Sequence, residues 1–200
     1  MQTVIKSNLA LKQETLQVIS ENRYLTLDEM EGNAQYVLDY FLAKGWTKES
    51  ICGMIGNMQS ESTINPGIWE SLLEGNMQGG VGLVQWTPAS KYTSWADQES
   101  FSWGDIDGQC KRIQYEVDEG LQWISTTEYP MTFEDFTKST LSPYILAMIF
   151  IANYERPLEP NQPNRGLQAV YWYEKLTGGV LPEPTSKCKK LPIWMYGRLL

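Results

Sequence analysis

At 200 residues, with 42% hydrophobic and 20% charged side chains, the chain is long enough for one substantial core and short for two. Aromatic residues make up 12% and no low-complexity tract occurs, which excludes a disordered or fibrous polypeptide. A net charge of −8 disfavours both a phosphate-binding surface and loose adhesion to anionic polymers, so nucleic acid is not an expected partner.

Residues 1–22 carry scattered aliphatics without a firm helical period and read as an arm of moderate helical tendency. Lys6, Lys12 and Glu14 interrupt it, and with no apolar stretch before a cleavage site, no secretory signal is expected. The main domain is expected over 23–177. Its first helix opens with Thr26 and Glu29 as a capping box, carries Met30, Ala34, Val37, Leu38 and Phe41 on one stripe, and ends at Gly45. Thr47 caps a second helix with Ile51, Met54, Ile55 and Met58 at helical spacing. That stripe continues to Glu61 before Asn65-Pro66-Gly67 stops the helix.

Between Gly75 and Pro88 the glycines and the run Leu83-Val84-Gln85-Trp86 predict a short β-hairpin. Further helices are expected near Ala89 to Asp97, over Ile106 to Trp123, and after Thr132 with Asp135 in its first turn. Ser142 and Pro143 open a helix whose apolar run, Tyr144 to Ala152, reads as the central buried axis. That run is the longest in the chain, and its nine residues are too few to span a bilayer. Pro157, Pro160 and Pro163 predict an extended loop, and Leu167, Val170, Tyr171 and Tyr173 or Glu174 begin a last helix that ends before Gly178-Gly179. Residues 178–200 read as a Pro/Gly linker and an apolar tail, which either packs on the domain or docks on a partner.

The sequence contains no histidine, so Ser-His-Asp triads, Cys-His sites and His-ligated zinc are excluded, and proton transfer falls to carboxylates, Lys, Tyr or Cys. Cys52, Cys110 and Cys188 are spaced neither as a zinc knuckle nor as a redox pair; they are expected to be reduced, with Cys52 buried. Glu61 is the leading candidate for chemistry. A carboxyl on an apolar stripe near a helix C-terminus is desolvated and faces the negative end of the helix dipole, and both effects favour the neutral acid that could protonate a glycosidic oxygen. The alternative is a Glu61 turned out to solvent at the last helical turn.

Glu61-Ser62, Asn65-Pro66 and Gly80-Val81-Gly82-Leu83-Val84-Gln85-Trp86-Thr87-Pro88 resemble the Glu-Ser…Asn-Pro…Gly-Leu-x-Gln…Pro pattern of lysozymes and lytic transglycosylases. With Ile51 to Ser62 and Ala152-Asn153-Tyr154-Glu155-Arg156-Pro157, the closer resemblance, covering about Tyr24 to Leu176, is to the phage tail-tip lysozyme family. The resemblance implies an α+β, mainly α, lysozyme-like fold with a small β-hairpin lining the cleft. It implies a virion protein at the phage tail tip that cuts the β-1,4 bond between N-acetylmuramic acid and N-acetylglucosamine to open a Gram-positive wall during DNA delivery. Glu61 falls on the family's general acid. Gln85, Trp86, Tyr154, Gly82 and Glu74 are the expected substrate-binding residues. Gln85 would bond an N-acetyl group, and Trp86 is either a stacking platform or core. Tyr154 would orient Glu61, unless its segment serves to pin the loop through a Glu155–Arg156 ion pair. Glu70 or Glu74 would be the second carboxylate. No metal or organic cofactor is implied, and the expected partners are a peptidoglycan glycan strand and tail-knob proteins contacted by either end of the chain. The rival reading is a catalytically silent glycan-binding or structural tail component of the same fold.

Overall fold

Thr26 opens the first helix as its spacing to Glu29 requires: its hydroxyl accepts from the Glu29 amide, and the Glu29 carboxylate accepts from the Thr26 amide at 2.8 Å. The computed structural model describes residues 17–179, and these are mainly helical. The helices are α1 (Leu27–Ala43), α2 (Lys48–Ser62), α3 (Ser90–Glu99), α4 (Ile106–Asp118), α5 (Phe133–Lys138), α6 (Pro143–Phe150) and α7 (Pro163–Thr177). Thr47, Thr132 and Ser142 cap α2, α5 and α6 with their hydroxyls, and Gly45 leaves α1 at a φ of +79°. Helix α4 stops before Trp123, because Gly120 and Gln122 both turn left-handed and free Trp123 to stack on Phe133.

The axis of the core is α2 and not the apolar run at 144–152. Every residue from Ser50 to Met58 is buried, and α1, α5, α6 and α7 pack around it. Small residues permit this. A Cβ on Gly53 would lie 2.8 Å from the Leu146 Cβ, and one on Gly56 would lie 2.5 Å from the Arg165 carbonyl oxygen. Glycine therefore brings the backbones of α6 and α7 closer to α2 than any other residue would. Buried Asn57 joins the three helices, its amide donating to the carbonyls of Gly53 and Ala147, both at 3.0 Å, and its oxygen accepting from Arg165.

Helix α7 lies with a different face inward from the one its aliphatics predict. Leu167 and Tyr171 are exposed, whereas Arg165, Gly166, Ala169, Trp172 and Tyr173 are buried. Close approach to Gly56 selects the small Ala169 for the seam, Gly166 leaves room for the Tyr144 ring of α6, and the Trp172 indole fixes the register by donating to the Gln59 side chain at 2.8 Å. Pro163 opens this helix instead of ending the preceding loop.

Among the described residues no β-ladder forms. The expected hairpin is reduced to isolated antiparallel bridges, Trp69 with Val81 and Val81 with Trp86. Gly82 and Gln85 are left-handed, at φ of +77° and +48°, and curl the segment into a tight turn that buries Leu83 and Val84. Residues 17–22, expected to belong to a weakly helical arm, are not helical; they lie against α1 and the loop after α2, where Asn33 bonds the Ile19 backbone in both directions. The remainder of the arm, most of the tail and Cys188 fall outside the described residues. Cys52 and Cys110 are buried free thiols; burial pushes Cys52 up to about 12 and Cys110 well above the usual thiol range, which makes both poor nucleophiles. No helix among the described residues is long and apolar enough to cross a membrane.

Candidate active site

The residues around Glu61 hold the end of α2 and leave the carboxyl group to the cleft. The Ser62 hydroxyl donates to the carbonyls of Met58 and Leu83, at 2.9 and 2.8 Å, which ties the last helical turn to the Gly82–Gln85 turn. Thr63 and Ile64 both take left-handed φ near +50°, so the chain leaves the helix axis at once. Asn65 then fastens the return by donating to the carbonyls of Glu21 and Arg23, each at 2.6 Å. Ser62 and Asn65 are thus structural brackets.

Glu61 lines an open cleft of about 490 Å³, with Glu70, Gln85, Gln122, Tyr154 and Glu155 among its other walls. Its side chain is 22% exposed, neither turned out to solvent nor dry. The expectation of a lone acid in an apolar pocket is corrected by Arg165, whose Nη1 lies 2.6 Å from Glu61 Oε1. Arg165 is itself buried and held by Gln162 at 2.8 Å and Asn57 at 3.3 Å. The rotation of α7 that its small residues dictate is what brings this guanidinium inward.

The expected substrate-binding residues divide. Gln85 lies on the cleft wall, with its amide donating to the Gly82 carbonyl at 3.0 Å. Trp86 borders the cleft but is only 3% exposed; it stacks on Tyr92 at 4.7 Å and donates to Glu116, so it is a wall and not an open platform. Gly82 serves the turn, since a Cβ there would meet the Gln109 amide at 2.5 Å, and it does not border the cleft. Glu74 is exposed and also off the cleft, whereas Glu70 is on it and accepts from the Gly80 amide at 2.8 Å. Tyr154 is fully buried, and its hydroxyl donates at 2.6 Å to Glu116, not to Glu61.

Glu116 is the residue that sequence reasoning missed. Its carboxylate accepts from the Trp86 indole and from Arg112 Nε, both at 3.0 Å, as well as from Tyr154. Burial pushes this carboxyl up, opposed by the Tyr154 bond and the Arg112 charge. The i, i+4 spacing of Arg112 and Glu116 was the available signal.

Tyr154 and Glu155 lie on a single π-helical turn, Ile151–Glu155, that widens the end of α6. Arg156 Nη1 donates to the carbonyls of Gln122 and of Asn153, so the Glu155–Arg156 ion pair does not form. Glu155 Oε1 is sealed from solvent with no hydrogen-bond partner. Burial raises this carboxyl well above the usual carboxylate range; the Glu61 and Glu116 charges push it further up, and Arg165 and Arg156 pull it down.

A mainly helical domain with a glutamate at the end of its central helix, facing an open cleft, is the architecture of a lysozyme-like protein. The sequence matches the phage tail lysozyme family over residues 32–176, and the chain belongs to that family. It is 60% identical over 159 residues to "Morphogenesis protein 1" of Bacillus phage B103; the match takes in 80% of this chain and 43% of that relative. The chain therefore spans less than half the length of the relative it matches.

Proposed function

We propose that the chain is a peptidoglycan glycosidase of the phage tail that cleaves the β-1,4 bond between N-acetylmuramic acid and N-acetylglucosamine, with Glu61 as proton donor. The observation that carries this reading is Glu61 itself, half-buried at the C-terminal end of α2 on a cleft of about 490 Å³. A glycan strand held along the Gln85 wall would place a glycosidic oxygen at that carboxyl, and proton donation to the leaving oxygen speeds its departure. Support for the phage setting comes from the family and from the relative's name; the tail tip is the proposed location, and opening a Gram-positive wall during DNA delivery the proposed role. Tail-knob proteins are the proposed partners of the terminal segments.

The test is clearing of isolated Gram-positive walls by wild type and by Glu61→Gln. Removing a positioned acid lowers rates by about 10² to 10⁴-fold. Loss of clearing to that extent, in a variant with an unchanged circular dichroism spectrum, is expected. Equal clearing by both proteins would remove Glu61 from the chemistry, and no clearing by wild type would favour a silent glycan-binding component. Mass spectrometry of the released fragments separates reducing ends, made by water, from 1,6-anhydro ends, made by the muramoyl C6 hydroxyl.

A further inference from the structure

The cleft contains an acid that the proposed reaction has not yet used. Glu155 is carried into the same groove as Glu61 by the π-helical turn after α6, an insertion that recurs at functional sites. Its Oε1 is sealed and unpartnered, and the cation next to it in sequence, Arg156, is committed to the backbone. An ionised carboxylate left so would carry the desolvation cost of a buried unpaired charge, whereas a protonated one carries much less.

The charged groups around Glu155 come from every side of the site. Glu61 faces it from α2, Arg165 from α7, Glu116 from α4, and Arg156 from its own segment. Glu70 and Lys91 lie elsewhere along the same cleft. Two neighbouring carboxyls beside a single ion-paired guanidinium cannot both ionise cheaply, which is the condition under which such groups titrate as a unit.

We infer that Glu61 and Glu155 form one coupled carboxyl pair that holds a single proton in the cleft, with Glu155 as its resting place and Glu61 as the member that presents it to the substrate. This rests on the reading of Glu61 as proton donor. Glu155 is a positioning residue: it sets the protonation of Glu61 without touching the sugar. In the reaction Glu155 yields its proton to Glu61 through water in the cleft, and Glu61 passes it to the glycosidic oxygen as the bond to the anomeric carbon breaks. The pair is then doubly charged between Arg165 and Arg156. It recovers its proton from the attacking water as the hydroxyl joins that carbon, or from the C6 hydroxyl if an anhydro ring closes.

The experiment is a carboxyl titration of ¹³C-glutamate-labelled protein by NMR, with wild type, Glu155→Gln and Glu61→Gln, alongside pH profiles of wall clearing. A carboxyl that stays protonated at pH 7 in wild type and vanishes in Glu155→Gln is expected. In Glu61→Gln the Glu155 midpoint should move to lower pH, because the Glu61 charge that raises it is gone, and in Glu155→Gln the basic limb of the clearing profile should move to lower pH, by about one unit or more, the coupling that defines interacting sites. A Glu155 that titrates in the ordinary carboxylate range, or a Glu155 midpoint that stays in place in Glu61→Gln, would overturn the inference. Loss of clearing with an unmoved profile would mean a structural role only and would equally overturn it. The titration needs no activity, so it reads the pair even where the glycosidase reading fails. An intact coupled titration with undiminished clearing by Glu61→Gln would sink that reading alone.

Discussion

Two glutamates flank Tyr154, one satisfied and the other not, and the contrast separates what holds the fold from what the cleft can use. Glu116 receives an indole N–H, a guanidinium N–H and a phenol O–H, a set that anchors Trp86 on the turn, Arg112 on α4 and Tyr154 on the π-helical turn to one point. Glu155, one residue beyond Tyr154, has an equally sealed oxygen and no donor. A buried carboxylate with every strong donor in place fixes geometry and has no reason to exchange its proton. One left without a donor is a standing cost to the fold, and such costs concentrate where a protein works.

The largest way to break the comparison is to remove the satisfied member. Glu116→Ala leaves the half-buried Arg112 without its partner and takes the acceptor from Trp86 and Tyr154 at once. Loss of one partner of a buried ion pair costs about 3–5 kcal/mol, which chemical denaturation would read. Wall clearing should fall with it, since the cleft wall at Trp86 and the π-helical turn lose their common anchor. A milder cut is Tyr154→Phe. It keeps the packing of the ring on Phe150 and deletes only the donor to Glu116, so the expected loss is about 1–3 kcal/mol. Because Tyr154 donates to Glu116 and not to Glu61, the pH profile of clearing should keep its position; a moved profile would join the two carboxylate regions into one.

The sequence made the frame legible and left much of the site hidden, for a physical reason that particular residues show. Thr26 with Glu29, Thr47, Thr132 and Ser142 with Pro143 are local signals, satisfied within one helical turn, and each capped its helix where expected. Glu61 was reachable because helical periodicity and the family resemblance both selected it. Arg165 was not: its direction depends on which face of α7 docks, and Gly56, far from α7 in sequence, decides that through backbone contact and not through an apolar stripe. Likewise, the apolar run at 144–152 gave no sign that its end would widen into a π-helical turn, and Gly82 and Gln85 together replaced the expected hairpin by a curl. Trp86 and Tyr154 had the right neighbourhood and the wrong partners, because Glu116 lies far from both in sequence and only the tertiary fold brings the three together.

The smallest change, Glu155→Gln, sharpens the comparison most, because its sign should oppose that of Glu116→Ala. The folded chain holds a proton on Glu155 that the unfolded chain releases in the ordinary carboxylate range, burial being the main cause. Stability attributable to this group is therefore whole at pH below the unfolded value and declines as pH rises above it, until the folded-state carboxyl ionises in turn. Each pH unit over which the unfolded chain is ionised and the folded one is not costs about 1.4 kcal/mol. A glutamine has the same shape and no proton to lose. The variant should thus be more stable than wild type at pH 7 by about that amount or more, and the gain should shrink to nothing near pH 4. Thermal or urea unfolding at a series of pH values checks this directly: a gain that stays constant with pH would mean better packing and not a removed acid, and a loss of stability at pH 7 would mean that Glu155 is ionised and held by its cationic neighbours after all.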